Sequence, residues 1–368
     1  MISGRYLVFR RRRDTFYVVR EGFMHIPENY LSPSVCAVMT AAMIPVWVHA
    51  ERKVIKELPK EKLPLIGVGA AFSFLGMMFN VPLPGGTTGH AVGGTLIALL
   101  FGPDAACIAV SVALLIQAVL FGDGGILAFG ANCFNMAFVL PYTGYAVYRL
   151  IRKQGSGTRR EMASAAVGAY VGLNAAALCA AVEFGLQPML FRDALGNALY
   201  CPYDLSVSIP AMMIPHLTVA GIVEALFTVA IYSFVRKTSP GLITGALAGL
   251  PEMGGAKEKG KRYFPAFALI AVMIAAVPLG LLAAGTAWGE WGAEEIAGIV
   301  TRGSELGYVP SGLANGWSFK APLPDYTLGG SEGALAYILS AVIGVALLII
   351  LFKLLSIPVR RREGSHAS

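Results

Sequence analysis

A methionine followed at once by a histidine, Met24 and His25 in EGFMHIPENYLSP (21–33), is the smallest constellation in this chain that can do chemistry. If Met24 begins the working polypeptide, its α-amine and the backbone nitrogen of His25 close a five-membered chelate ring on a metal ion. That backbone nitrogen and the His25 side chain close a six-membered one. Three nitrogen donors then come from two residues. A fourth is on offer from His90, which ends the Gly- and Pro-rich stretch NVPLPGGTTGH (80–90). Four nitrogens near one plane suit Ni²⁺ or Cu²⁺ better than Zn²⁺, Mg²⁺ or Ca²⁺. Ligation by the backbone nitrogen requires loss of its proton, and the amine and imidazole must be unprotonated, so acid opposes binding.

Other chemistry-bearing residues are more equivocal. His366 lies in a polar tail, and His49 stands beside Glu51 and Arg52 at a helix end, where an imidazole is unremarkable. His216, in IPHLTVAGIVEALF, falls in an apolar run; burying it is costly, so it is a site participant or a hydrogen-bonded helix residue. The block FGDGG (121–125), with Asn132 and Asn135 after it, allows two readings. Asp123 and the Asn amides cover or support the metal, or Asp123 caps the next helix from a Gly-rich turn. Glu183 and Glu224 are acids in apolar runs, able to relay protons or simply to hydrogen-bond between helices. The five cysteines form no C-x-x-C pair, so no disulfide framework or zinc site is indicated. GAKEKGKR (255–262) approaches a phosphate-binding loop but ends in Arg with no strand before it, and ATP hydrolysis on this chain is not expected. No prosthetic group and no nucleic-acid partner are expected.

The elements that must position these residues are membrane helices. The chain is 56% hydrophobic and only 14% charged, against about a quarter charged in soluble domains. Its mean hydropathy is +0.64. Apolar runs near 34–50, 64–80, 104–121, 131–151, 161–184, 209–235, 264–285 and 334–357, with a shorter one near 90–102, are too continuous for barrel strands and predict about nine helical crossings. Basic residues cluster in alternate connections: Arg52, Lys53, Lys56, Lys60 and Lys62; Arg149, Arg152, Lys153, Arg159 and Arg160; Arg236, Lys237 and Lys257 to Arg262; Lys353 and Arg360 to Arg362. The positive-inside rule makes that side cytoplasmic and places Met24 and His25 outside, with the C-terminus inside. Residues 1–23, carrying Arg5, Arg10 to Arg13 and Arg20, then break the rule and lack the apolar core of a signal peptide. They are expected to be a leader outside the functional protein, which would begin at Met24.

MHIPENYLSP, NVPLPGGTTGHAVGGTLIALLFGP and LIQAVLFGDGGILAFGANCFNMAF, in that order, resemble the CbiM/NikM substrate-binding subunits of energy-coupling-factor importers for nickel and cobalt. The resemblance implies an all-α integral membrane protein, a polytopic bundle of about seven spans plus two in a C-terminal accessory part. It implies that Met24, His25 and His90 bind the metal. It also implies import of Ni²⁺ or Co²⁺ with a transmembrane coupling subunit and separate cytoplasmic ATP-binding subunits, in a prokaryotic cell membrane. Residues 263–368 are similar to the small NikN/CbiN accessory subunit, joined to a metal-binding part at 24–245 by a cytoplasmic linker at 246–262. Two rival expectations stand beside it: a proton-coupled secondary transporter, and an intramembrane metalloenzyme using His25, His90, His216 and Glu224. The second lacks an H-E-x-x-H motif or a nucleophile–base pair.

Overall fold

The computed structural model describes residues 25–58, 60–84, 87–152, 157–243, 256–283, 287–301, 304–329, 331 and 333–364. Residues 1–23, Met24, Gly85, Gly86, residues 246–255 of the expected linker and His366 lie outside the described residues. The protein is a multi-pass bundle of α-helices. Six of its helices are long and apolar enough to cross a membrane: Pro33–Glu57, Pro103–Phe121, Thr158–Leu190, Leu205–Thr238, Tyr263–Leu282 and Ala334–Ser356.

Helix α1 (Pro33–Glu57) starts where Ser32 accepts a hydrogen bond from the Val35 amide at 3.2 Å and Pro33 takes the first helical position. After α2 (Ile66–Met78) the chain forms a short antiparallel hairpin, β1 (Val81–Leu83) with β2 (Thr87–Gly89), and enters α3 (Gly94–Phe101). The sequence predicts a further span near 90–102. The helical part is eight residues, a rise of about 12 Å, and with the loop before it the stretch carries the chain from His90 to Asp104, which pairs with Lys53. The preceding residues are spent on the hairpin and the His90 loop. Gly102, at φ +93, then turns the chain directly into α4 (Pro103–Ile116). A single π-type turn (Gln117–Phe121) ends that helix. Beyond it stand the short α5 (Phe129–Asn132), a second π segment (Cys133–Val139) and α6 (Leu140–Arg152).

The long α7 (Thr158–Leu190) packs against α6 through glycines, since a Cβ at Gly168 would lie 2.5 Å from the Gly144 carbonyl oxygen. Such small-residue contacts let helix backbones approach where lipid supplies no hydrophobic drive. Helix α8 (Leu205–Pro215), capped by Asp204, runs through a third π turn (His216–Ala220) into α9 (Gly221–Thr238).

The C-terminal part begins with α10 (Ala256–Ala276). A connecting segment follows, containing α11 (Ala293–Ile296), the two-residue strands β3 (Val300–Thr301) and β4 (Ser304–Glu305), and α12 (Ser311–Asn315). The last helix, α13 (Ala334–Gly364), lies along α2: a Cβ at Gly67 would meet Phe352 Cβ at 3.1 Å, Gly344 faces the Phe74 ring, and the Tyr337 hydroxyl donates to the Met78 carbonyl at 2.9 Å. Thus the C-terminal part is packed into the same bundle. At the basic end, Lys53 pairs with Asp104 at 2.9 Å and Arg236 with Glu161 at 3.2 Å, the latter also bonded by Tyr232.

Candidate metal centre

Residues 25–32 pack into one end of the bundle, most of them buried. His25 is 2% exposed, and Ile26, Tyr30 and Leu31 are equally buried. A buried non-helical segment needs partners for its backbone, and several come from elsewhere in the bundle. The Asn132 amide accepts from the Ile26 N–H at 2.9 Å and donates to the Ile26 carbonyl at 3.0 Å. That carbonyl also takes the Gly125 N–H at 3.0 Å. Ser32 N–H reaches Gln187 at 3.0 Å, and the Tyr30 carbonyl accepts from Cys201 at 3.0 Å. Glu28 accepts from the Ile126 and Leu127 amides. The two glycines that end FGDGG are needed for this fit: Gly124 sits at φ +80, where a Cβ would be 2.9 Å from His25 Cβ, and a Cβ at Gly125 would be 2.9 Å from the Glu28 nitrogen.

His90 arrives from the opposite side on the hairpin. Both oxygens of the buried Glu224 carboxylate accept from the amides just after it, Val92 at 2.8 Å and Gly93 at 3.0 Å, while Ser73 donates to the Val92 carbonyl at 2.7 Å. Glu224 therefore anchors the His90 loop and the start of α3. Of the two sequence readings of this acid, its contacts are those of a hydrogen-bonding tie, made to loop backbone.

The two imidazoles meet edge to face, with ring centroids 5.3 Å apart and an interplanar angle of 62°. His25 Nε2 and both nitrogens of His90 are buried and have no hydrogen-bond partner. Buried polar atoms are ordinarily satisfied, and leaving them bare costs roughly 1–3 kcal/mol each in proteins. Burial, and then the neighbouring His25, pushes the His90 imidazole down to about 3, so at neutral pH it is uncharged, with a lone pair on one of its two nitrogens. These atoms border a cavity of about 60 Å³ whose other lining groups include Asn132, Asn135, His216 and Glu290. Among the described residues no group of three or more His, Cys, Asp or Glu is arranged to hold a metal ion.

Asp123 lies behind His25. Its Oδ1 accepts from His25 Nδ1 at 2.5 Å, and its Oδ2 accepts from the Tyr326 hydroxyl at 2.6 Å and the Gln117 amide at 3.1 Å. Burial alone would raise this carboxyl, but the charge and hydrogen bond of His25, with that of Tyr326, bring it below its ordinary value. Burial, then Asp123, pushes the Tyr326 phenol well above its usual range and keeps it a donor.

The sequence candidates are thus distributed as follows. His25, His90, Asn132, Asn135 and His216 line one cavity, with Asp123 bonded to His25. Asn135 Nδ2 donates to Glu183 at 2.9 Å. His216 combines both of its readings, since Nδ1 bonds the Met212 carbonyl one turn back at 2.7 Å while the ring faces the cavity. Asn135, His216 and Gln117 all lie in π-type turns, where one extra residue per turn re-aims a side chain. Met24 falls outside the described residues. The expected six-membered ring would close through Nδ1 of His25, the atom that Asp123 holds here, whereas Nε2 is the unpartnered one. Sequence reasoning passed over Gln117, Tyr326 and Glu290. Gln117 had a signal, an uncharged amide in a long apolar run; Tyr326 bonds across 203 positions and had none.

Comparison with known proteins adds to this. The family described as "cobalt uptake substrate-specific transmembrane region" matches residues 25–242, and the PDGLE domain matches residues 261–361. The fused nickel transport protein NikMN of Rhodobacter capsulatus is 48% identical over 339 residues, covering 89% of this chain and 95% of that protein. The probable fused nickel transport protein LarMN of Lactiplantibacillus plantarum is 47% identical over 332 residues, covering 90% and 97%. A crystal structure described as a truncated transition metal transporter is 56% identical with a TM-score of 0.55, covering 58% of this chain and 99% of the other.

Proposed function

The chain belongs to the family of cobalt-uptake substrate-specific transmembrane regions, and we propose that it is a transport subunit, not an enzyme, that captures Ni²⁺ or Co²⁺ outside the cell and delivers it inward. The reading favours Ni²⁺, on the donor set of the sequence and on the names of the two fused relatives. The ion is cargo. Its ligands in this reading are His25 and His90, with the amine and backbone nitrogen contributed at Met24 and His25. Asp123 and Asn132 support His25 from behind, and Asn135 and His216 face the ion across the cavity. The observation that carries the proposal is the set of three buried imidazole nitrogens without partners around one cavity.

Transport in this reading runs on ATP hydrolysed by separate cytoplasmic subunits, coupled through a transmembrane partner. Residues 24–245 form the metal-binding part, 246–262 a cytoplasmic linker and 263–368 an accessory part. Cells carrying this chain with its coupling subunit and ATPases are expected to accumulate radioactive Ni²⁺, and cells carrying the chain with inactive ATPases are not. Undiminished uptake in the absence of active coupling ATPases would favour a proton-coupled secondary transporter instead.

In this reading the basic connections face the cytoplasm, with His25 outside and the C-terminus inside. A cysteine replacing Leu195, 87% exposed in the loop after α7, is expected to react with a membrane-impermeant thiol reagent from outside. One replacing Gly157, which has no neighbour within 4 Å, is expected to react only after permeabilisation. Gly124 is unsuitable for such a label because of its contact with His25. The reverse pattern of labelling would overturn the orientation.

A further inference from the structure

Tyr326 belongs to the C-terminal part, yet its side chain is spent in the N-terminal part. It is 3% exposed, stacks on Phe121 at 4.5 Å and 20°, and meets Tyr337 edge to face at 5.4 Å. Its hydroxyl donates to Asp123 Oδ2 at 2.6 Å and accepts from the Gln117 amide at 2.9 Å. The backbone around it is fastened at several points: Leu323 N–H to the Leu120 carbonyl at 2.9 Å, and Ser340 Oγ to the Tyr326 carbonyl at 2.9 Å. Asp325 and Tyr326 both hold positive φ, +54 and +57, a region that costs residues with a Cβ. Strained backbone persists only where the surroundings over-determine it, and here the surroundings aim one hydroxyl at one carboxylate oxygen.

The carboxylate has two oxygens with different duties. Oδ1 holds the His25 imidazole, and Oδ2 is held by Tyr326 and Gln117. Tyr326 thereby limits how the carboxylate can rotate, and the carboxylate limits how the imidazole can. We infer that Tyr326 is a positioning residue for metal capture, through which the C-terminal part sets the orientation of His25 in the N-terminal part. The inference rests on the proposed reading that His25 is a metal ligand. It also gives the covalent joining of the two parts a consequence: the site is incomplete without the connecting segment that follows α10. Groups that hydrogen-bond ligating imidazoles typically change metal affinity about 10–100-fold when removed, and Tyr326 acts one hydrogen bond further out, through Asp123.

The test uses the chain from Met24 to its C-terminal end in lipid nanodiscs, Ni²⁺ alone as probe, and two readouts, titration calorimetry and the ligand-field absorption of the bound ion. Tyr326→Phe keeps the ring stack on Phe121 and removes only the hydroxyl. It is expected to remain folded, to bind Ni²⁺ more weakly by up to about 10-fold, and to shift the ligand-field band. Combined with Asp123→Asn, it is expected to add almost nothing to the loss caused by Asp123→Asn alone, because both act on one path. Wild-type affinity and spectrum in Tyr326→Phe would overturn the inference, as would a loss that adds in full to that of Asp123→Asn. Should Tyr326→Phe fold poorly, Gln117→Leu, which removes the other donor to the same oxygen, is expected to give the same spectral shift, and an unchanged spectrum would count against the inference. If the unsubstituted chain binds no Ni²⁺, the metal reading itself falls and takes this inference with it, whereas intact binding by Tyr326→Phe sinks the inference alone.

Discussion

His90→Ala is expected to abolish high-affinity Ni²⁺ capture while leaving the bundle folded. Two features separate these effects. The imidazole has no hydrogen bond to lose, because neither ring nitrogen has a partner, so its removal orphans no other group. The usual large cost of breaking a buried polar pair therefore does not arise. The loop itself is held by other atoms: the Val92 and Gly93 amides on Glu224, the Val92 carbonyl on Ser73, and the Trp288 N–H on Thr87 at 2.7 Å. What His90→Ala removes is a lone pair aimed into the cavity. Loss of a first-coordination donor should exceed the roughly 10–100-fold that outer partners contribute. The measurement is Ni²⁺ titration of purified protein alongside its thermal unfolding curve, with cellular uptake as a second readout. Uptake at the wild-type level would remove His90 from the site, and with it the reading of the cavity.

The contrast between what could and could not be seen in the sequence has a physical basis. Hydropathy located the long helices because about 20 apolar residues in succession have few other uses, and the bundle has the helical architecture that hydropathy implied. At 90–102 the same measure marks a stretch that is not one long helix, since burial inside protein and burial in lipid select the same residues. There the apolar stretch divides into a buried loop, a buried eight-residue helix and a half-buried break at Gly102. His25 and His90 stood out because nitrogen donors in that spacing have a chemistry of their own. Asp123, Asn132 and Asn135 were visible as polar residues beside glycines, but their roles turned on which chain segment would lie against them. The answer was the segment at residues 25–32, which Gly124 and Gly125 admit by lacking a Cβ. Tyr326 was out of reach: a phenol among fourteen tyrosines carries no mark of the distant carboxylate it bonds. Periodicity and spacing are local quantities, and this contact is made by the packing of α13 on α2.

The position of Met24 makes the largest difference that a single peptide bond can make to this site. In a chain whose residues 1–23 remain attached, the nitrogen of Met24 is an amide, its lone pair drawn into resonance with the preceding carbonyl. It then offers a metal almost nothing, and the fused chelate falls from three donors to two. In a chain that begins at Met24 the same atom is an amine. The prediction is that the active protein begins there, that a chain starting at Met24 binds Ni²⁺ stoichiometrically, and that one kept in its 368-residue form, with translation at codon 24 and any processing blocked, does not. The chelate also demands Nδ1 of His25, which donates to Asp123 in the structure. Metal binding is therefore expected to turn the imidazole and bring its other nitrogen to the carboxylate, the usual arrangement of a ligating histidine between metal and acid. N-terminal sequencing of the native protein, Ni²⁺ titration of the two forms, and the colour of the complex decide the matter together, since planar four-nitrogen Ni²⁺ is diamagnetic and yellow and octahedral Ni²⁺ is not. Equal, stoichiometric binding by the uncleaved chain would remove the amine from the site. His25 would then ligate through Nε2, the nitrogen the structure already leaves without a partner, with His90 beside it.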